Sequence, residues 1–283
     1  MKKGWIIYRK NDAQQNKAYI EWFIEEAFKQ NMSLELVLRE NITIGIRDNK
    51  QSVFVHNEPA YLPTFAIVRT IESLLNLHLE TLGVQVFNSS IISNICNNKA
   101  LTHHKVSSLQ VPMVDTIFTH KSDVFESPPL PFPFVLKETS GRGGKQVHYI
   151  KDTKDWQRSL ALITTSDIII QSCNVKLGKD VRVFVVGNEI IGAVLRESTN
   201  DFRANFKLGG TAKLYHLLPT EEMLVNKIIT HFDFGMVGID FLIDHSGNFL
   251  FNEIEDIVGS RTLSAVSNSN IVQKYVTHIK NNI

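Results

Sequence analysis

The chain has 283 residues, and its 30 lysines and arginines nearly balance its 29 aspartates and glutamates, for a formal net charge of +1. Proteins that bind the nucleic-acid backbone carry a concentrated positive excess. No run of basic residues occurs here, so a dedicated nucleic-acid binder is excluded. Hydrophobic residues make up 43% and charged residues 21% of the chain, as in packed globular proteins of one or two domains.

The N-terminus and the cysteines indicate a cytoplasmic protein. After Lys2 and Lys3 only four apolar residues follow, from Trp5 to Tyr8, which is too short for a signal-peptide core. No apolar run approaches the roughly 20 residues of a membrane span. Cys96 and Cys173 lie far apart, with neither metal-type spacing nor a disulfide framework.

The first 90 residues alternate between strand and helix patterns. Strands are predicted at 4–8, 34–38, 52–55, 65–68 and 84–87, and helices at 18–28 and 71–82. Alternation of this kind predicts an α/β fold with a parallel sheet and helical crossovers. The first strand is not followed by G-x-G-x-x-G, so the segment is not a classical dinucleotide-binding unit.

The predicted secondary structure changes in the second half of the chain. A helix over 93–110 and a strand over 111–118 precede a loop at 127–133 that holds four of the eight prolines. From Phe134 onward strands outnumber helices: strands are predicted at 134–137, 146–150, 167–171, 181–186, 190–195, 236–243 and 248–254, and helices at 220–232 and 271–280. Gly187-Asn188 between two apolar runs predicts a hairpin turn.

Three acids on the last two predicted strands form the sharpest chemical signal. Glu253 and Glu255 are two residues apart, so their side chains share one face of a strand. Asp240 lies on the preceding strand, within cross-strand reach. Carboxylates gathered among apolar neighbours repel one another unless a cation lies between them, and hard oxygen ligands suit Mg²⁺ rather than zinc. The alternative is that the acids point to solvent.

A glycine-rich loop, 139–145, lies between two predicted strands and is preceded by Lys137. Glycines allow backbone N–H groups to approach phosphate oxygens. The loop is not a P-loop, because Gln146 follows Lys145 and a strand comes next. Two interpretations remain: a glycine flap that covers a bound nucleotide, and an ordinary hairpin. Lys137 ends an apolar stretch, which makes it a candidate phosphate ligand or a side chain that extends to solvent.

A second polar loop, 200–210, carries Arg203, Asn205 and Lys207 ahead of Gly209-Gly210. Such a concentration of donors can hold anionic groups.

Taken together, these segments resemble the ATP-grasp superfamily, and most closely its RimK-type carboxylate–amine (α-L-glutamate) ligases. The matching segments are Asn98-Lys99, Lys137 with the glycine flap, Ile168-Ile169-Ile170-Gln171, Asp180-Val181-Arg182, the Asp201 to Gly210 loop, Gly238-Ile239-Asp240 and Asn252-Glu253-Ile254-Glu255. The resemblance implies a pre-ATP-grasp α/β domain at 1–92, a central lobe at 93–174 and a C-terminal lobe at 175–283.

The resemblance also implies residue roles. The ATP site would comprise Lys99, Lys137, Gly141, Gly143, Gly144, Gln171, the backbone of Ser172 and Cys173, Asp180 near the ribose, and Arg203 and Asn205 at the terminal phosphate and the acyl-phosphate. The metal ligands would be Asp240, Glu253 and Glu255, holding Mg²⁺, with Mn²⁺ as an alternative. Arg203 and Lys137 would be the catalytic groups.

Two residues depart from the family pattern. Glu255 stands where the family usually has Asn, which adds a negative charge to the metal ligands. Ser172 replaces the common hinge glutamate, so contacts with adenine there would rely on the backbone.

The function implied is ATP-dependent amide-bond formation through an acyl-phosphate, acting on small carboxylate and amine substrates: an amino acid, a peptide or a protein terminus. Arg261 and Arg69 are candidates to hold a substrate carboxylate, and the resemblance is compatible with an oligomer. Because this chemistry needs no covalent nucleophile, His103 and His104 are expected to face solvent rather than act as bases. The alternatives are an ATP-grasp enzyme that joins free amino acids or other small acids, and a non-catalytic nucleotide-binding regulator.

Overall fold

A computed structural model describes residues 1–124, 128–140, 146–204 and 210–283. A four-stranded parallel sheet, in the order β2-β1-β6-β7, occupies the N-terminal part. Its strands are β1 (Lys2–Tyr8), β2 (Met32–Leu38), β6 (Phe65–Val68) and β7 (Gln85–Phe87), and its helices are α1 (Lys10–Gln15), α2 (Lys17–Lys29) and α3 (Ser73–Thr81). The predicted parallel α/β arrangement is confirmed. Gly4 is required where β1 meets β6, because a Cβ there would lie 2.2 Å from the Phe65 ring.

A small antiparallel sheet is inserted between β2 and β6. Its strands are β3 (Ile42–Arg47), β4 (Lys50–Val55) and β5 (Glu58–Pro59). The strand predicted at 52–55 therefore exists but does not belong to the parallel sheet. β3 was not predicted, although Ile42, Ile44 and Ile46 alternate along one of its faces.

Two helices, α4 (Ser90–Cys96) and α5 (Lys99–Ser107), replace the single helix predicted over 93–110. The helix breaks because the side chain of Asn98 caps α5 by accepting a hydrogen bond from the Leu101 N–H at 3.0 Å. The predicted strand over 111–118 is also wrong in extent: β8 covers Thr116–His120, and Met113 forms only an isolated bridge with Phe251.

An antiparallel central sheet follows, in the order β10-β9-β11-β8, and the helix α6 (Thr153–Leu162) covers one face. The other three strands are β9 (Phe134–Glu138), β10 (Val147–Ile150) and β11 (Asp167–Ser172). Phe134, Leu136, Ile168 and Ile170 pack with Trp156 of α6 on that face. The alternate residues of β9 and β11 therefore face away from the helix.

The C-terminal part contains a five-stranded antiparallel sheet in the order β14-β13-β12-β15-β16. Its strands are β12 (Lys179–Val186), β13 (Glu189–Glu197), β14 (Thr211–Tyr215), β15 (Met236–Ile243) and β16 (Phe249–Glu255), and its helices are α7 (Pro219–Ile229), α8 (Arg261–Val266) and α9 (Ile271–Asn282). The hairpin predicted at Gly187-Asn188 joins β12 to β13. α6, α8 and β14 were not predicted.

One hydrophobic core joins the N-terminal sheet to the C-terminal part: Ile6 and Phe23 pack with Phe184, Tyr275 and Ile279. The three main sheets lie within the three ranges proposed as domains, whose boundaries stay a prediction. None of the described helices is long and apolar enough to cross a membrane.

Candidate active site

A cleft of about 560 Å³ opens between the central and C-terminal sheets, and the N-terminal sheet closes one end. Among the described residues, nine lysines and arginines and five acids line it. The near-neutral chain therefore concentrates positive charge at this one place. The cationic residues are Arg69, Lys99, Lys137, Lys176, Lys179, Arg182, Arg196, Arg203 and Arg261; the acids are Asp12, Asp180, Asp240, Glu253 and Glu255.

A β-bulge on β16 turns the acids toward the cleft. Asp240 lies opposite Glu253 in the β15–β16 register, and the next pair joins Phe241 to Phe251, so Asn252 is the extra residue. The bulge allows Phe251 and Ile254 to pack in the core, while their polar neighbours line the cleft. Glu253 and Glu255 share a face, as predicted.

Two arginines that the sequence analysis did not single out neutralise the buried acids. Arg182 binds Asp240 through Nε and Nη2, both at 2.7 Å, and its Nη1 lies 2.5 Å from Glu255. Arg196 binds Asp180 at 2.6 and 2.7 Å and reaches Asp240 at 2.8 Å. The cation that the acids were expected to require is thus supplied in part by the protein itself.

The register of β12 could have revealed this network. Arg182 lies opposite Asp240 on β15, and Asp180 lies opposite Arg196 on β13. Burial raises the pKa of Asp180 to about 6 even though Arg196 opposes the shift. Burial also acts to raise the pKa of Asp240, but Arg182 and Arg196 outweigh it and hold that pKa below its usual value.

The donor chemistry of the acids fits a divalent cation. Glu253 and Glu255 are about one-third exposed in the cleft, whereas Asp240 is only 1% exposed. Within the described ranges no group of three or more His, Cys, Asp and Glu side chains forms a ready metal site. Mg²⁺ commonly binds through one or two carboxylates and the phosphates of a substrate, so the residues fit a metal that arrives with a nucleotide.

Two lysines reach the cleft near these acids. Lys137 on β9 is 9% exposed, and its Nζ donates to Oδ1 of the neutral Asn252 at 2.9 Å. Lys99, the first residue of α5, places its Nζ 3.7 Å from Glu253. Burial lowers the pKa of Lys137 to about 8, and the charge of Lys99 adds to the shift. Lys137 forms no ion pair with any described residue, and the charges of Glu253 and Asp240 oppose the shift of its pKa only in part.

The end of β11 brings Gln171, Ser172 and Cys173 to the cleft. The Ser172 N–H donates to the Asp115 carbonyl at 2.9 Å, and the Cys173 Sγ donates to the Pro133 carbonyl at 3.0 Å. Gln171 is 2% exposed and contacts His103.

The expectation that His103 faces solvent is wrong. His103 is 1% exposed and packs edge-on against Phe251, because its face of α5 covers β16. His104, on the other face of the helix, is exposed as predicted.

The remaining predicted residues fall at three places. Arg203 lines the cleft and binds Asp201 through Nε at 2.9 Å and Nη2 at 2.7 Å. Gly141, Gly143, Gly144 and Asn205 lie outside the described residues. Arg261 begins α8 and donates to Asn16 at 3.1 Å.

Arg69 lies at the junction of the N-terminal and C-terminal parts. It is 8% exposed, donates to the Val258 carbonyl at 2.8 Å and to the Tyr8 hydroxyl at 3.3 Å, and lies 5.8 Å from the centre of the Tyr19 ring. No carboxylate among the described residues forms an ion pair with it. Like Lys137, it is a buried cation whose hydrogen bonds within the described part of the chain all go to neutral groups.

Known proteins share this architecture. Residues 94–279 match the model of the RimK-like ATP-grasp domain. The glutamate–LysW ligase ArgX of Sulfurisphaera tokodaii is 28% identical over 232 residues, which cover 77% of this chain and 82% of ArgX. A RimK-domain ATP-grasp protein of Sphaerobacter thermophilus has a similar structure, with a TM-score of 0.73, 15% identity and 99% coverage of both chains. The D-alanine–D-alanine ligase of Bacillus anthracis, complexed with ATP, also has a TM-score of 0.73, with 14% identity and coverage of 99% of this chain and 97% of its own.

The chain belongs to the RimK-like ATP-grasp family. It is an ATP-dependent ligase that joins a carboxylate to an amine. ATP-grasp ligases use ATP with a divalent metal, in agreement with the oxygen donors and the lysines that share the cleft.

Proposed function

We propose that the enzyme phosphorylates the carboxylate of an amino acid or a peptide and then joins it to an amine. A carboxylate oxygen attacks the γ-phosphorus of ATP, the bond to the β-phosphate oxygen breaks, and an acyl-phosphate and ADP form. The amine then attacks the acyl carbon, inorganic phosphate leaves, and the amine loses a proton. The observation that carries the proposal is the buried Lys137, which lacks a carboxylate partner in a cleft lined by further cations.

The lysines would bind the ATP phosphates. A buried ammonium is costly unless an anion compensates it, and the position of Lys137 beside Lys99 favours a polyanion over a single carboxylate. Gln171 and the backbone of Ser172 and Cys173 would contact the base. Asp180 would lie near the ribose; in this structure both of its carboxylate oxygens accept from Arg196. Gly141, Gly143 and Gly144 would form the phosphate flap that the sequence predicts.

Glu253 and Glu255, with Asp240 behind them, would hold the metal, and Mg²⁺ is the ion that carboxylates and phosphates together favour. When bound, the metal would neutralise phosphate charge during transfer. Arg182 already neutralises Asp240, so the extra acid at Glu255 does not leave the three carboxylates unopposed. Arg203, held by Asp201, would stabilise the transferring phosphoryl group and the acyl-phosphate together with Asn205.

The substrate would carry a second acid group, which does not react. Arg69 is the reason: it is buried beside hydroxyls and a carbonyl, and a guanidinium in such surroundings needs an anion. The buried Tyr19 hydroxyl near it forms no hydrogen bond of normal geometry with any residue in the described ranges, although Ser260 lies beside it. Arg261 lines the same cleft from α8. ArgX joins glutamate, as its name states, and an acidic amino acid, which has two carboxylates, meets the requirement here.

Cys96 and Cys173 are both free thiols, which supports a reducing, cytoplasmic location.

Mass spectrometry of reactions with ATP, Mg²⁺ and mixtures of amino acids tests the proposal. A condensed product, ADP and phosphate should appear in equal amounts, and hydroxylamine should trap the acyl-phosphate as a hydroxamate. Glu253→Gln should abolish formation of the condensed product and of the hydroxamate. Glu21→Gln, the same change on the exposed surface of α2, should have no effect on either. Nucleotide binding without any product, across the whole amino-acid panel, would instead indicate a non-catalytic nucleotide-binding protein.

A further inference from the structure

The loop that carries Arg203 is fixed to the chain segment just before β12. The Gly178 N–H donates to the Phe202 carbonyl at 2.8 Å, and the Gly178 carbonyl accepts from the Ser198 N–H at 2.8 Å. Gly178 has a φ of +71°, and a Cβ there would lie 2.4 Å from the Ser198 carbonyl oxygen. Only glycine suits so positive a φ and so close an approach. The backbone that precedes Arg203 is therefore held at the start of the C-terminal sheet.

Two neighbours define where the Arg203 guanidinium lies. Asp201 accepts from the Arg203 backbone N–H and from Nε, both at 2.9 Å, and from Nη2 at 2.7 Å. The guanidinium carbon also lies 5.3 Å from the centre of the Phe202 ring, within the range of a cation–π contact. A shift of the Phe202 ring would therefore displace the guanidinium.

The Phe202 ring lines the cleft and contacts the central sheet. Its centre lies 5.4 Å from that of the Tyr149 ring, with 32° between the ring planes, a separation typical of attractive aromatic pairs. Tyr149 lies on β10 opposite Val135 of β9, and Val147 lies opposite Lys137. Since residues directly opposite each other share a face of a sheet, Tyr149 lies on the same face as Lys137.

We propose that the contact between Tyr149 and Phe202 positions Arg203 for phosphoryl transfer. The inference rests on the proposed function, in which Arg203 stabilises the transferring phosphoryl group and Lys137 binds the phosphates of ATP. Arg203 belongs to the C-terminal part and Lys137 to the central sheet, so their separation depends on how these two parts are held together. The aromatic contact joins the loop of one part to the sheet of the other. Tyr149 and Phe202 are positioning residues, because they act through Arg203.

Binding of aluminium fluoride to the full-length enzyme with Mg²⁺ and ADP tests the inference without any ligase substrate. Aluminium fluoride mimics the transferring phosphoryl group, so its affinity reports on groups that act in the transition state. Tyr149→Leu should weaken its binding roughly 2- to 10-fold, the value of one aromatic pair, and leave the affinity for ADP unchanged. A purely structural role of Tyr149 would weaken the binding of ADP and of aluminium fluoride equally. Calorimetric titration measures both affinities.

Three further variants complete the test. Tyr149→Phe keeps the ring and removes only the hydroxyl, so it should bind aluminium fluoride as tightly as the wild type. Tyr61→Leu, the same change as Tyr149→Leu at a side chain that is 99% exposed, should also match the wild type. In Arg203→Met, adding Tyr149→Leu should have no further effect, because the residue through which Tyr149 acts is gone.

Arg203→Met separates failure of the inference from failure of the proposed function. If the wild type with ADP does not bind aluminium fluoride, or if Arg203→Met binds it equally well, the role proposed for Arg203 is wrong and the inference fails with it. If Arg203→Met weakens this binding but Tyr149→Leu does not, or if Tyr149→Leu has the same effect with and without Arg203, positioning by Tyr149 is wrong while the proposed function stands. Should Tyr149→Leu not fold, Phe202→Leu removes the other ring of the same contact and should give the same result.

Discussion

Two sets of cationic side chains with little exposure to solvent line the same cleft, and they differ in what compensates their charge. Arg182 and Arg196 are held between Asp180, Asp240 and Glu255 in the C-terminal sheet. Among the residues that the structure describes, Lys137 donates to an amide oxygen and Arg69 to a hydroxyl and a carbonyl, all of them neutral. The first set completes a network within the protein, whereas the second set lacks an anion that a ligand can supply.

The comparison teaches that residue type alone does not separate a structural cation from a binding one. Arg69, Lys137 and Arg196 are buried, the side chain of Arg182 is 13% exposed, and all four line the cleft. Removing a compensated cation leaves a buried carboxylate uncompensated, so the fold should suffer. Removing an uncompensated one relieves a desolvation cost, so binding should suffer while stability does not.

Arg182→Met should produce the largest effect. It leaves Asp240, which is 1% exposed, with one of its two arginines, and breaking a buried pair costs about 3–5 kcal/mol of unfolding free energy. Urea denaturation measures the loss. The matched change Arg158→Met, in an exposed pair on α6, should cost less than about 0.5 kcal/mol. If Arg182→Met lowered the unfolding free energy by less than about 1 kcal/mol, Arg182 would belong with Lys137 and Arg69 rather than with the compensated cations.

Lys137→Met should leave the unfolding free energy unchanged or raise it, because a buried charge disappears and the partly exposed Asn252 can bind water. Turnover should fall about 100- to 1,000-fold, the scale seen when one preorganised group that stabilises transition-state charge is removed. A coupled-enzyme assay of ADP release measures the turnover, and urea denaturation measures the unfolding free energy. Lys154→Met on the exposed face of α6 is the control. If Lys137→Met lowered the unfolding free energy but left turnover unchanged, the distinction between compensated and uncompensated cations would be wrong.

Arg69→Met should act on the substrate rather than on ATP. Loss of a charge-assisted hydrogen bond predicts a rise of roughly 10- to 100-fold in the KM of the acid substrate, with little change in the KM of ATP or in stability. Arg261→Ala should move the same parameter by less, because its side chain is more exposed. Equal effects on both KM values would remove either residue from the substrate site.

The smallest effect concerns pH. With a pKa of about 8 in the free enzyme, Lys137 is charged below pH 8, and bound phosphates would raise that pKa, so binding takes up a proton above pH 8. Affinity for ATP should fall as the pH rises, by about fivefold between pH 8 and 9. Lys137→Arg keeps its charge throughout this range and should flatten the dependence. If the affinity for ATP fell equally with pH in the wild type and in Lys137→Arg, the pH dependence would come from a group other than Lys137.

The free energy of unfolding should rise with pH above about pH 8, whereas the affinity for ATP falls. The pKa of Lys137 is lower in the folded state than the usual 10.5, so the unfolded chain binds more protons between about pH 8 and 10.5. The contribution of Lys137 to stability therefore increases with pH across that window. The cost of its burial is present in full below pH 8, where ATP binding can offset it.

Much of the fold could be predicted from the sequence because strand and helix periods are local. The parallel orientation of the N-terminal strands, the hairpin at Gly187-Asn188 and the shared face of Glu253 and Glu255 all followed from spacing. The separate sheet that contains β3 did not follow, because the alternation of Ile42, Ile44 and Ile46 indicates a strand but not the sheet that it joins. The break between α4 and α5 did not follow either, because a single capping asparagine leaves a weak local signal.

The sequence by itself determined the family, the ATP-dependent chemistry and the residue types available for it: the acids of β15 and β16, and Lys137 beside a glycine loop. Only the tertiary structure decided which charges compensate one another. Arg182 meets Asp240 through strand register, the bulge at Asn252 turns Glu253 into the cleft, and Arg69 is buried by a segment 189 residues away. Such compensation depends on distances between residues remote in sequence, and local spacing carries no information about them.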